Sequence, residues 1–191
     1  MTYSDILRPQ TRLYSLVYDI TLILGGSLAV ALLAQVAVPL PFTPVPITGQ
    51  TLGVLLIGAL LGRWRGTLAI LAYLTEGISG LPVFAGGLAG PAVLAGPTGG
   101  YLIGFVFSAY LVGWLAEEGW DRKPVTTFIM MGTGTALILI TGAIFLTLFV
   151  PGNQVISMGI IPFIPGALVK IGLAVVLLPT GWKLLGDRNE R

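Results

Sequence analysis

The sequence predicts an all-α integral membrane protein with six membrane-spanning helices and both termini in the cytoplasm. Only 9% of its 191 residues are charged, whereas a soluble domain carries about 25%. The hydrophobic residues, 55% of the chain, gather in long stretches and do not alternate with polar residues. The Lys and Arg residues occupy alternate connections between these stretches. Together these observations exclude a soluble globular domain and a disordered chain.

Six uncharged apolar stretches are candidate spans. A helix that crosses the hydrocarbon core needs about 20 residues, because each residue adds about 1.5 Å. The second and third stretches are too short, and they require tilt, a thinned bilayer or non-helical backbone at membrane depth. The stretches are Ile20–Val38, Ile47–Leu61, Thr67–Leu74 (extending toward Ile78), Gly99–Leu115, Phe128–Val150 and Phe163–Pro179.

The basic residues predict the orientation of these spans. Cytoplasmic connections are enriched in Lys and Arg, and all but one of the 10 such residues here fall on one side of a six-span arrangement. This pattern predicts a cytoplasmic tail over residues 1–19, a membrane domain over residues 20–179 and a cytoplasmic tail over residues 180–191. The charged first tail lacks the apolar core of a removable signal peptide. The basic residues of that side are Arg8, Arg12, Arg63, Arg65, Arg122, Lys123, Lys183, Arg188 and Arg191.

The three connections on the other side are apolar and rich in Pro and Gly. These first, second and third outer connections cover residues 39–46, 77–98 and 151–162, respectively. Such segments are typical of lids or re-entrant pieces folded back over the protein. The alternative is that they are tight connectors lying close to the membrane.

The composition excludes several kinds of chemistry. The chain has no Cys and no His, so disulfides, thiolate nucleophiles, imidazole bases and Cys/His metal sites are absent. It also lacks a Walker A motif and a pair of carboxylates within one span. We therefore expect no enzymatic activity, no cofactor and no metal. The dispersed basic pairs give no support to nucleic-acid binding.

Lys170 is the one charged residue inside a predicted span. It lies eight residues after Pro162, so about 12 Å from the outer end of the sixth span. A lysine at the centre of a membrane helix costs roughly 2.5–3.5 kcal/mol. Such residues usually face a cavity and have a partner, which makes Lys170 a functional candidate. The alternatives are snorkelling along the helix or an internal ion pair with Glu76.

Other polar and aromatic residues on the outer side are weaker candidates. Glu76 is a partner of Lys170, a ligand-binding residue or a water-exposed residue at the mouth of a site. Gln50 and Thr43 lie where the first outer connection enters the second span, where they bind a ligand or cap a helix. Phe84 and Tyr101 line an apolar pocket or belong to the core.

Small residues give the first span two flat strips for close helix packing. Gly25 and Ala29 form one strip, and Ser27 and Ala31 form the other. Small residues four apart let another helix approach closely. That helix belongs either to this chain or to a partner.

Four segments form a recognisable series of motifs: Thr43 to Leu52 (TPVPITGQTL), Gly77 to Gly87 (GISGLPVFAGG), Gly96 to Leu102 (GPTGGYL), and Pro162 to Gly166 (PFIPG) followed by Lys170. In order and spacing, these motifs resemble the BioY family, the biotin-specific S components of energy-coupling factor (ECF) transporters. The resemblance extends from about residue 40 to residue 175.

The resemblance implies a six-helix S-component fold in the bacterial plasma membrane, with a biotin site near the outer surface beneath the first outer connection. It implies three partner subunits: a transmembrane coupling protein and two cytoplasmic ATPases, which would hydrolyse the ATP. Gly25, Ser27, Ala29 and Ala31 match the small residues through which the family contacts the coupling protein. One position departs from the family pattern: Ala167 stands where an acidic residue is common.

The expected mechanism is capture of biotin, with Lys170 supplying a positive contact to its carboxylate or to its ureido oxygen. Glu76, Gln50 and backbone groups of the second outer connection would complete the polar set. Three alternatives stay open: an S component for another vitamin, which Ala167 keeps under consideration; an intramembrane enzyme using Lys170; and a structural scaffold.

Overall fold

Five helical regions dominate the fold. The computed structural model describes residues 2–6 and 8–189, with side chains described as far as Leu184. Arg188 and Arg191 of the basic pattern therefore lie outside the described side chains. Within the described residues, five helical regions are long and apolar enough to cross a membrane: Arg12–Gln35, Gln50–Ile78, Gly99–Glu117, Pro124–Leu146 and Gly152–Leu184.

Seven α-helices are described along the chain. Helix α2 begins at Arg12, earlier than the predicted start at Ile20, so part of the predicted N-terminal tail is helical. Short 3-10 turns occupy parts of the connections. The helices are α1 (Tyr3–Ile6), α2 (Arg12–Gln35), α3 (Gln50–Ile78), α4 (Gly99–Glu117), α5 (Pro124–Leu146), α6 (Val155–Gly159) and α7 (Ile164–Asn189).

Helix α3 is a hairpin of two antiparallel arms. Gly62 breaks it with φ 82° and ψ 176°, a conformation that glycine adopts without a steric penalty. The Gln50 side-chain nitrogen lies 2.6 Å from the Tyr73 hydroxyl. In a straight helix these residues would be about 34 Å apart. Residues 50–61 and 63–78 therefore run side by side, as separate second and third spans require. The count of six crossings and the side of each terminus stay predictions.

Glycines allow the arms of α3 to pack closely against each other and against α4. A Cβ atom on Gly66 would lie 2.9 Å from Gly58 Cα, and one on Gly58 would lie 2.8 Å from the Ala109 carbonyl oxygen. At the turn, a Cβ on Gly113 would meet the backbone of Gly62 at 2.5 Å. Small residues at these crossings replace side-chain contact with backbone contact, as in other membrane helices.

A polar network anchors the N-terminal segment to the α3 turn. The Ser4 hydroxyl donates to the Leu61 carbonyl oxygen, and the Arg65 guanidinium pairs with Asp5 at 2.8 Å and Asp19 at 2.7 Å. Burial tends to raise the pKa of the Asp5 carboxyl, but the hydrogen bonds from Arg65 and Thr2, together with the charge of Arg65, outweigh burial and lower that pKa. Part of the predicted tail is thus packed onto the helices.

The first outer connection is the loop of a small β-hairpin, the one departure from the all-α prediction in the described residues. Strand β1 (Ala37–Val38) pairs antiparallel with β2 (Ile47–Thr48), with Ala37 opposite Thr48. The enclosed residues 39–46 include four prolines, which lack a backbone donor and fix φ. The paired strands hold both ends of this loop at the start of α3.

We predict that Gly66→Ala destabilises the protein by about 1–3 kcal/mol, the range for overpacking a filled site. The new methyl group would meet the backbone of the other α3 arm, which has no side chain to move away. The midpoint of denaturation in detergent measures the effect. Gly132→Ala in α5 is the matched control, because its Cβ meets nothing within 4 Å. Equal stability of the two variants would contradict the tight crossing of the arms.

Candidate ligand-binding site

A cavity of about 450 Å³ lies among the helices at the end of the bundle away from the Gly62 turn. Its volume falls within the usual range for small-molecule sites. The first outer connection, the start of α3, the second outer connection, α4, α5 and α7 all contribute to its wall. The wall is mostly apolar and includes Val45, Ile47, Leu88, Ala92, Val93, Leu102, Phe105, Ile138, Leu139 and Phe163.

Lys170 lies in the wall of this cavity and is bound by neutral acceptors. Its ammonium nitrogen donates to the Thr48 carbonyl oxygen at 2.5 Å and to the Thr51 hydroxyl at 2.6 Å. In the described part of the chain, no carboxylate forms an ion pair with it. These bonds fix the position of the nitrogen, and no described carboxylate neutralises its charge.

Glu76 lies elsewhere, between the second arm of α3 and α2. Its carboxylate accepts a hydrogen bond of 2.6 Å from the Ser27 hydroxyl. The alternative of an internal Lys170–Glu76 ion pair is therefore corrected, since each residue has other partners. Glu76 also lies outside the described wall of the cavity. Its orientation toward α2 follows from the rotation of the α3 arm, which hydrophobicity alone does not specify.

Gln50 is in the cavity wall and is only 5% exposed. The Thr48 hydroxyl lies 2.9 Å from its amide oxygen, and its amide nitrogen lies 2.6 Å from the Tyr73 hydroxyl. As the first residue of α3, it lies where the β-hairpin that carries the first outer connection meets the first arm of α3. These contacts hold the amide in one orientation at the edge of the cavity.

Phe84 and Tyr101 are the two predicted aromatic residues of the wall, and both line it. Phe84 is almost fully buried, in a space left by Gly77, where a Cβ atom would lie 2.1 Å from the Phe84 ring. The Tyr101 hydroxyl donates to the Gly159 carbonyl oxygen at 2.7 Å. The rings are therefore held from behind while they border the cavity.

Thr43 links the first outer connection to the third outer connection. Its hydroxyl donates to the Met158 carbonyl oxygen at 2.8 Å and accepts from the Val45 amide at 3.3 Å. Thr43 itself lies outside the described cavity wall. Thr43 was predicted to contact the ligand directly. In the structure it holds the first outer connection in place, and the residues that follow it, Pro44 to Pro46, form part of the cavity wall.

The four small residues of α2 divide between two faces. Gly25 is exposed and a Cβ there would meet nothing within 4 Å, and Ala29 is partly exposed. Ser27 is fully buried and Ala31 is 6% exposed. Only the Gly25/Ala29 strip is open to another protein, because the Ser27/Ala31 strip packs within the chain.

Two wall residues, Thr51 and Thr135, were not named as candidates from the sequence. Thr51, which lies within the segment from Thr43 to Leu52, accepts a hydrogen bond from Lys170. Ala167, where the family pattern commonly has an acid, also borders the cavity. Among the described residues, no group of three or more acidic side chains could hold a metal ion.

The comparisons with known proteins first define the class. The fold matches the crystal structure of the S component for biotin from an ECF-type ABC transporter with a TM-score of 0.80, covering 92% of this chain and 95% of that one at 29% identity. The family profile of BioY matches residues 7–187. The chain belongs to the BioY family.

Similar sequences come from diverse organisms. A biotin transporter BioY of Rhodobacter capsulatus is 41% identical over 80% of this chain and 87% of that protein. The biotin transporter BioY2 of Lactococcus lactis is 37% identical, covering 87% and 88%. The BioY of Thermotoga maritima is 35% identical, covering 82% and 92%. This chain is accordingly a multi-pass protein of the bacterial cell membrane and a transporter component, which sets aside the intramembrane enzyme.

We predict that Thr43→Val accelerates amide hydrogen exchange in residues 39–46 by about fivefold, because one hydrogen bond contributes about 1 kcal/mol to local stability. Hydrogen-exchange mass spectrometry of the detergent-purified protein measures this. Thr43→Ser keeps the hydroxyl and should exchange like the wild type. Thr147→Val is the second control, since its hydroxyl bonds within its own helical turn. Unchanged exchange in Thr43→Val would show that the loop is held by other contacts.

Proposed function

We propose that this chain is the substrate-binding S component for biotin of an ECF-type ABC transporter. The observation that supports this most directly is a buried apolar cavity that contains one cation, Lys170, without a carboxylate partner in the described residues. The BioY family and the biotin transporters among its relatives agree with such a ligand.

Biotin has the chemical character that this cavity requires. It combines an apolar fused ring system and an aliphatic tail with a neutral ureido group and a single carboxylate. Phe84, Tyr101 and the aliphatic residues of the wall suit the apolar parts, since ligand sites are mainly apolar with few polar anchors. Lys170 suits a ligand oxygen that carries negative charge.

The polar contacts are assigned as follows. Lys170 donates to an oxygen of bound biotin, and its bonds to Thr48 and Thr51 hold the ammonium in place. Gln50 supplies amide hydrogen-bonding groups at the edge of the same cavity. Thr43 acts on the ligand through the loop that it fastens. Binding a desolvated ammonium through a charge-assisted hydrogen bond gives the site its selectivity for anions.

A second vitamin is the competing ligand, and Ala167 in the cavity wall is the observation that favours it. With alanine here, the site lacks the acid that the family pattern supplies. Thiamine is a cation, so Lys170 would repel it. Riboflavin is neutral and larger. Competition of thiamine and riboflavin against labelled biotin on the purified protein distinguishes these ligands.

We infer that transport requires a transmembrane coupling protein and two cytoplasmic ATPase subunits. The sequence has no Walker A motif of its own, so ATP hydrolysis is assigned to other chains. The exposed Gly25/Ala29 strip of α2 is the surface proposed for the coupling protein, because small residues allow close helix approach. The Ser27/Ala31 strip supports this surface from within the chain.

We predict that Lys170→Met weakens biotin binding by roughly 10- to 100-fold, the value of a hydrogen bond to a charged group. Equilibrium titration of labelled biotin into detergent-purified protein measures the change. Lys183→Met is the matched control: the substitution is the same and in the same helix, but Lys183 is exposed and distant from the cavity wall. Equal affinity of Lys170→Met and wild type would refute the role of this ammonium.

Ligand analogues identify the group that Lys170 contacts. If the contact is to the carboxylate, biotin methyl ester should bind the wild type more weakly, with little further loss in Lys170→Met. If the contact is to the ureido oxygen, 2-iminobiotin, which lacks that oxygen, should bind the wild type more weakly, with little further loss in Lys170→Met. Additive losses for both analogues would mean that Lys170 contacts neither group.

We predict that Gly25→Leu reduces assembly with the coupling protein while biotin affinity is retained. The leucine side chain fits the isolated chain, because nothing lies within 4 Å of its Cβ, but it would prevent close approach of a partner helix. Co-purification with tagged coupling subunits measures assembly. Gly132→Leu is the matched control, since that glycine also has open space. Normal assembly of Gly25→Leu would place the interface elsewhere.

A further inference from the structure

We propose that Tyr73 is a positioning residue of the biotin site. From behind the cavity wall, it joins the start of α3 to the second outer connection. The proposal rests on the proposed biotin function. Tyr73 is fully buried in the second arm of α3 and lies outside the described wall. Its hydroxyl has one partner on each side, and each partner belongs to a different part of the site.

The first partner is Gln50. The Tyr73 hydroxyl donates its single proton to the Val83 carbonyl oxygen at 3.1 Å, so it accepts the hydrogen bond from the Gln50 amide nitrogen. The amide oxygen of Gln50 then accepts from the Thr48 hydroxyl. Each group in this series of hydrogen bonds therefore has a compatible donor or acceptor, and the bonds select one of the two flipped orientations of the Gln50 amide. The described bonds leave one amide N–H and one oxygen lone pair of Gln50 unused.

The second partner is the segment that carries Phe84. Tyr73 holds it at the Val83 carbonyl, and the two rings pack edge to face with centroids 5.6 Å apart. One helical turn after Tyr73, Gly77 leaves the space that Phe84 fills. Gln35 of α2 reaches the Phe84 carbonyl oxygen at 3.4 Å. The hydroxyl and ring of Tyr73 therefore act on the same wall segment.

Packing alone does not require the hydroxyl. A phenylalanine ring would keep the edge-to-face contact with Phe84, whereas a buried hydroxyl costs free energy unless it is paired. Here it is paired twice, with groups that would otherwise be buried without partners. Tyr73 thus connects the β-hairpin side of the cavity to the Phe84 side, although Tyr73 itself is not part of the described cavity wall.

Tyr73→Phe tests this role with the ring retained. We expect biotin affinity to fall by about 5- to 30-fold, the effect of losing one to two hydrogen bonds that hold the wall. The change should appear mainly as faster dissociation, since the wall is less well held around the ligand. Tyr110→Phe is the matched control, as that tyrosine is 39% exposed and packs against Trp64. Equal affinity of Tyr73→Phe and wild type would overturn the proposal.

A double-mutant cycle separates positioning from general destabilisation. If Tyr73 acts through Gln50, adding Tyr73→Phe to Gln50→Ala should lower affinity by less than it does in the wild type. The denaturation midpoint of each variant without ligand is measured in parallel. Fully additive losses, or a loss of affinity explained by unfolding, would contradict the positioning role.

Hydrogen exchange of the ligand-free protein supplies a readout that does not depend on biotin. Tyr73→Phe should raise exchange several-fold at the amides of residues 83–88 and 48–51, with no change in Tyr110→Phe. If the wild type fails to bind biotin, the proposed function fails, and this exchange pattern alone decides whether Tyr73 joins the start of α3 to the second outer connection. Unchanged exchange at both segments would refute that link.

Discussion

The constraint on which the proposed site depends is the partial burial of the Lys170 ammonium in a membrane protein, without a carboxylate partner in the described residues. Backbone and hydroxyl oxygens satisfy its hydrogen bonds but do not cancel its charge. An uncompensated charge in a low-dielectric surrounding interacts strongly with any anion that reaches it. The same arrangement repels a cation. The selectivity that we propose for a small apolar anion thus rests on the lack of an ion pair to Lys170 among the described residues.

The α3 hairpin makes that arrangement possible. Because its first arm, residues 50–61, is only about 18 Å long, its N-terminal end cannot fill the full thickness of the bundle. Thr48 and Thr51 at this end meet Lys170 of α7, and the remaining space is the cavity. The hairpin itself requires Gly62 at the turn and Gly58 and Gly66 at the crossing. Backbone contacts at one end of the bundle therefore set the position of polar groups at the other end.

Much of the candidate site was predictable from the sequence, but the positions of Glu76, Ser27 and Thr43 were not. Lys170, Gln50, Phe84 and Tyr101 were expected near the ligand, and all four border the cavity. Hydrophobicity and motif spacing specify the depth of a residue. They do not specify the rotation of a helix about its axis, where one residue changes the direction by about 100°. Glu76 and Ser27 therefore turned out to face each other. Thr43 depended on a loop contact with Met158 that is distant in sequence.

The same rotation separates the proposed partner surface from the cavity. On α2, Gly25 and Ala29 face outward, while Ser27 faces inward and binds Glu76. Glu76 and Tyr73 lie three residues apart on the second arm of α3, yet one contacts α2 and the other contacts the loops around the cavity. This arm therefore lies between the proposed partner surface and the ligand site. A change at the proposed partner surface or at the cavity that moves this arm would therefore alter the other. A substitution confined to the outward face of α2 would leave the cavity intact.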